Sequence, residues 1–122
     1  MRTYRWICAG YLVAAAVLTV WTVGLLFDQP PDIVTWVGLD GALVVAFLLA
    51  ARLAHRGDPR LGLVAAATGA AVLLDGWFDV TTAEAGWLGA SILLAVTVEG
   101  PFVLASAAIA GWTYRRVYAG TS

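Results

Sequence analysis

The chain has no lysine, one cysteine, one histidine and few charges of any kind: only 12% of its 122 residues are charged. A soluble domain carries about 25%. The net charge of −1 gives no electrostatic footprint for nucleic acid. A lone Cys8 excludes an internal disulfide and a multi-cysteine metal site, and reads as a small packing residue. His55 sits among arginines and reads as a solvated loop residue. No Ser-His-Asp set, Cys-His pair, HExxH or phosphate-binding glycine loop is present, so no cofactor is implied and an enzyme is the less favoured class. What the chain has instead is apolar length. Hydrophobic residues make up 61%, with a mean hydropathy of +0.86. A soluble fold this short has nowhere to hide that surface, so the bilayer must be part of the solvent.

Four apolar runs are each near the ~20 residues that span a membrane. They cover about residues 6–27, 33–53, 61–82 and 87–113, and use most of the chain. The expected fold class is therefore all-α: one membrane domain, a four-transmembrane-helix antiparallel bundle. The first run follows Arg2 and Arg5, as a signal peptide would, but it outlasts the usual h-region of ~7–15 residues. No A-x-A-like site follows it, and it is expected to be a retained span. Its Tyr11, Ala15, Thr19 and Thr22 form one stripe. Asp28-Gln29-Pro30-Pro31-Asp32 is a turn in which Asp32 is expected to cap the second helix. The third run holds small-xxx-small patterns, Ala65/Gly69 and Gly62/Ala66/Ala70, which predict close helix approach. The tail from Val117 is expected to fray.

All seven cationic residues are arginines, at positions 2, 5, 52, 56, 60, 115 and 116. With four spans these regions share one side, which the positive-inside rule makes cytoplasmic. Both termini are then expected in the cytoplasm, with the chain in the inner, cytoplasmic membrane. The six tryptophans fit interfacial belts, and Trp36 and Trp77 each lie close to an acid.

The anomaly is acid within apolar runs. Asp40, Asp75, Asp79 and Glu99 lie in the spans, with no Lys or Arg at their depth. Counted at ~1.5 Å per residue, Asp40 and Asp75 sit roughly 5 Å outward of mid-span, Asp79 roughly 11 Å outward, and Glu99 within about 2 Å of the middle. Asp75 and Asp79 share a face with Thr68 and Ala71. Three ionised, unpaired acids cost on the order of 8–10 kcal/mol. The ways out are a retained proton, a bound cation or a water-filled crevice. Asp40 has Thr19 and Thr22 as possible neutral partners. Beside Glu99, Gly100 and Pro101 predict a kink, because proline leaves the carbonyl of Thr97 without its helical donor. Asp40 and Asp75 are expected to face each other, with Glu99 toward the polar stripe of the third helix and Asp79 at the mouth.

The segments WVGLD (Trp36–Asp40) and LLDGWFDV (Leu73–Val80) resemble those of small uncharacterised four-span bacterial integral membrane proteins. That resemblance implies the fold and carries no activity. Small multidrug resistance transporters are similar in length and span number, but their key glutamate lies in the first span, where this chain has no acid. Four-span sterol-isomerase-like proteins also place Asp and Glu in a membrane pocket, without a motif that matches here. Three functions remain open. The chain handles a cation or protons as a homo-oligomer, serves as an accessory or binding subunit of a larger membrane complex, or acts as an intramembrane enzyme on a lipid-like substrate. Its partners are then the lipid bilayer, copies of itself or a complex, and a cation or proton ligand, with no nucleic acid.

Overall fold

The computed structural model describes residues 2–120, and the described residues are helix and turn without strands. Four helices are long and apolar enough to cross a membrane: α1 (Arg2–Asp28), α2 (Ile33–Arg56), α3 (Leu61–Thr82) and a fourth span, Leu88–Ala119. The fourth is α4 (Leu88–Leu94), a π-helical turn (Ala95–Glu99) and α5 (Gly100–Ala119) in unbroken succession. Much of the apolar surface is exposed, Leu, Val and Trp alike, as helices bathed in lipid require. The chain divides into two compact units, one ending at Leu61 and the other starting at Gly62.

In the first unit α1 packs along α2. Contacts pair early residues with late ones: Tyr4 with Gly57, Tyr11 with Phe47, Thr22 with Asp40. The unit is thus a helical hairpin. Its core is Tyr11 and Ala15 on α1 against Leu43, Phe47, Ala50 and Ala54 on α2. The tilted Tyr11–Phe47 rings, 6.4 Å apart, add about 0.5–1.5 kcal/mol beyond burial.

The connections follow from local chemistry. Gln29 takes a left-handed φ of 45° and its N–H closes α1 on the carbonyl of Leu25, after which Pro30 and Pro31 forbid more helix. Asp32 does not cap α2 with its side chain, contrary to the sequence expectation. Its own backbone is left-handed (φ 62°), and its carbonyl, not its carboxylate, accepts the N–H groups of Thr35 and Trp36. α2 runs three residues past the apolar run, to Arg56, and ends on Gly57 at φ 62°. There the N–H of Gly57 donates to Ala54 and that of Asp58 to Leu53, which satisfies the last carbonyls.

In the second unit the register is a seam with a period of seven. Gly62, Gly69 and Gly76 on α3 meet Thr113, Ser106 and Glu99 in reverse order. A Cβ at Gly62 would lie 3.2 Å from Thr113 Cβ, and one at Gly69 would lie 3.1 Å from Ser106 Cβ. The four-residue pattern Gly62/Ala66/Ala70 is not the packed one, since Ala66 and Ala70 are exposed. Steps of four drift about 40° each round a helix, whereas seven residues return to within about 20° of the same line. Thr68, Ser106 and Thr113 are each 1% exposed. The Thr68 and Thr113 hydroxyls donate back to Val64 and Ile109 of their own helices, at 2.7 and 2.8 Å, so burial leaves these donors satisfied. The tail does not fray at Val117. Arg116 lies 5.0 Å over the Trp112 ring, Tyr114 stacks on Tyr118, and these i,i+4 contacts carry α5 to Ala119. Beyond Gly120 the tail lies outside the described residues.

Two outcomes test this account. Gly69→Leu, at a closed point of the seam, should cost about 1–3 kcal/mol of stability in detergent. Gly38→Leu, at a position with open space above it, should stay within about 0.5 kcal/mol. The second concerns the loop after α2. Arg60 grips both oxygens of Asp58 (Nη2 at 2.8 Å, Nε at 3.1 and 3.3 Å) and donates its backbone N–H at 2.9 Å. The Arg60 side-chain bonds, then its backbone bond, hold the Asp58 carboxyl at about 2 against an ordinary 3.8. A depressed carboxyl stabilises the loop above the ordinary value and loses that contribution as pH falls through about 2. A carboxyl-carbon NMR titration should show that low midpoint for Asp58 and its return toward 3.8 in Arg60→Ala.

Candidate carboxylate site

Three of the four acids meet within the second unit. Asp75, Asp79 and Glu99 each offer an oxygen within 4.8 Å of the others, and all three are half-buried. Asp40 belongs to the first unit, where it is 5% exposed and Thr22 Oγ1 lies 3.4 Å from its Oδ2. That contact is long for an O–H···O bond. The Thr22 proton is already given to Leu18, at 2.8 Å, and Thr19 gives its own to Ala15, at 2.7 Å. Trp36 is half-buried near the start of α2.

Asp79 is a full member of the trio. Span centres mislead here because the fourth span is 32 residues long and overruns the apolar core at its Arg115–Arg116 end. Register, not depth, sets the meeting. Glu99 packs on Gly76, and Asp75 and Asp79 flank Gly76 by one residue before and three after. On a helix those two positions share a face, one turn apart. Glu99 therefore reaches the middle of a two-carboxylate face.

The expected break at Gly100-Pro101 takes another form. The helix stays continuous and widens by a π turn, with the Gly100 N–H donating to Ala95 five residues back. The wider turn accommodates the missing Pro101 N–H, and such turns cluster at functional sites. Thr97 turns its hydroxyl to Leu93, at 2.6 Å. Glu99 is the last residue of this turn.

The electrostatics are one-sided. Glu99 Oε2 is buried and has no hydrogen-bond partner. Asp79 and Glu99 offer oxygens within 4.8 Å of each other, close enough for a small adjustment to join them by a hydrogen bond. Two carboxyls can form such a bond only if one carries a proton. No Arg lies between Leu61 and Gly100, so nothing in that stretch neutralises the trio. An open recess of about 220 Å³ is lined by Glu99 and Gly76 together with Leu73, Trp77, Val80 and Val103. At ~30 Å³ per water, that is room for a handful of waters. The oxygen spacing also suits a hard cation: at ~2.4 Å from each ligand, opposed oxygens lie up to about 4.8 Å apart. The arrangement can thus share a proton or hold a cation.

Two features of this site escape a reading by runs and faces: the Gly76 seat and the π turn. The repeat that carries the first is visible in the letters, since Gly62, Gly69 and Gly76 recur at sevens, as do Glu99, Ser106 and Thr113. Comparison with family models, with curated proteins and with solved structures finds no match.

Glu99→Gln gives the site a donor in place of an acceptor, and its amide can serve Asp75 and Asp79. Its stability in detergent should stay within about 0.5 kcal/mol of the parent. A loss above about 2 kcal/mol would mean that Glu99 stands ionised with a cationic partner.

Proposed function

We propose that this chain is a multi-pass protein of the cytoplasmic membrane that uses Asp75, Asp79 and Glu99 to bind a small cation or to pass protons. The observation that supports it is the meeting of three carboxylates from two apolar helices within 4.8 Å, with no basic residue in that stretch. Such a group persists in a membrane only if something positive completes it, a proton or a metal ion. In this reading the four helices form an antiparallel bundle with both termini in the cytoplasm, as the one-sided arginines favour. Asp40, buried in α2, is the further acid proposed to take part.

The working form is proposed to be a homo-oligomer. Gly10 and Gly24 lie fourteen residues apart on α1 with open space above both. Glycines in membrane helices favour close helix contacts. The same observation favours the second reading, an accessory subunit that docks on a larger complex.

The test is calorimetric titration of the protein in lipid nanodiscs with Ca²⁺, Mg²⁺ and Na⁺, beside proton flux into dye-loaded vesicles. The proposal expects binding of one cation or measurable flux, and loss of either in Glu99→Gln. No heat with any cation and no flux above empty vesicles would return the trio to helix packing and leave the accessory reading.

A further inference from the structure

Bare carboxylates repel, so their own charge does not bring Asp75, Asp79 and Glu99 together. The geometry points to a steric cause. A Cβ built on Gly76 collides with Glu99 Oε2, the far end of a flexible side chain, and comes within 3.1 Å of Glu99 Cδ, so a methyl there displaces the carboxylate from its place. The Glu99 carboxylate therefore occupies the volume that any other residue at position 76 would fill. The two remaining seam glycines face a different kind of neighbour, the Cβ atoms of Ser106 and Thr113. Only at Gly76 does the missing side chain make room for a charged group. The π turn ends on Glu99, and its wide geometry, fixed by the Gly100 N–H to Ala95 bond, sets where that side chain leaves its helix.

We propose that Gly76 is a positioning residue of the carboxylate trio: its missing Cβ is the seat of the Glu99 carboxylate, and the seven-residue seam delivers Glu99 onto that seat between Asp75 and Asp79. The proposal rests on reading the trio as the functional site, and it adds the device that assembles it. Glycine at 76 serves the acid; glycine at 62 and 69 serves helix approach. The distinction has a consequence that packing alone lacks. The cost of a methyl at position 76 depends on what stands at position 99.

The experiment is a double-mutant cycle on the full chain, read as thermal stability in detergent without added cation. Gly76→Ala and Gly69→Ala are each made with Glu99 and with Glu99→Ala. With Glu99 present, Gly76→Ala should lower the Tm by several degrees. In the Glu99→Ala background that loss should shrink to less than half, because the colliding group is gone. Gly69→Ala should cost the same in both backgrounds. If Gly76→Ala does not fold with Glu99, recovery of folded protein on adding Glu99→Ala gives the same answer. Equal losses at position 76 in both backgrounds, or no recovery, would make Gly76 a plain helix-packing glycine and overturn the proposal. The cycle is independent of ligand: a parent protein that binds no cation sinks the proposed function and leaves the seat standing, and an additive cycle does the reverse.

Discussion

Carboxylate repulsion in a medium of low dielectric is the constraint around which the second unit is built. Two ionised carboxylates 4.8 Å apart oppose each other by about 3.5 kcal/mol at an effective dielectric of ~20. Three mutual pairs would cost roughly three times that, more than one helix contact returns. The trio is stable only because two things act together. Gly62 and Gly69 let α3 and α5 approach until their positions are fixed by contact. In the proposed function, protons or a cation then remove the charge that contact alone would not overcome. Neither is sufficient by itself: a tight seam with three bare charges would open, and neutral acids on loosely packed helices would not meet.

The rest of the unit satisfies its polar groups locally, which leaves the trio as its one unresolved spot among the described residues. Thr68 and Thr113 turn their hydroxyls onto their own helices. The π turn closes with its own N–H to carbonyl bond, so Pro101 costs little backbone bonding. Among the described residues, Glu99 Oε2 alone is buried without a partner. A buried acceptor without a partner is where a proton or ion adds most.

The helices were legible in the sequence because a run of about twenty apolar residues has few other physical outcomes. Their ends were less so. α2 and the fourth span outrun their apolar runs, since contacts such as Trp112 with Arg116 hold helix where hydropathy has already fallen. Each acid of the trio is visible singly, because a carboxylate among Leu and Val is costly enough to stand out. Which acids meet is not visible from depth. Reckoning from span centres puts Asp79 well outward of Glu99, and the glycine register puts them together. Register depends on which small residues touch: of the two patterns read in fours, Ala65 and Gly69 are buried, whereas Ala66 and Ala70 are exposed. The Asp32 side chain is misjudged for a related reason: a left-handed backbone re-aims a carboxylate that a cap rule assumes is pointing at the helix.

Infrared spectroscopy of the protein in bilayers, with carboxyl carbons isotopically labelled, reads the central claim most directly. The claim is that the trio is completed by a proton or a cation and not left bare. Without added cation at neutral pH, the account predicts a protonated-carboxyl band that is lost in Glu99→Gln and that vanishes when a binding cation is supplied. A spectrum with only ionised carboxylates, unchanged by cation, would mean that three bare charges coexist at this site, and the account would be wrong.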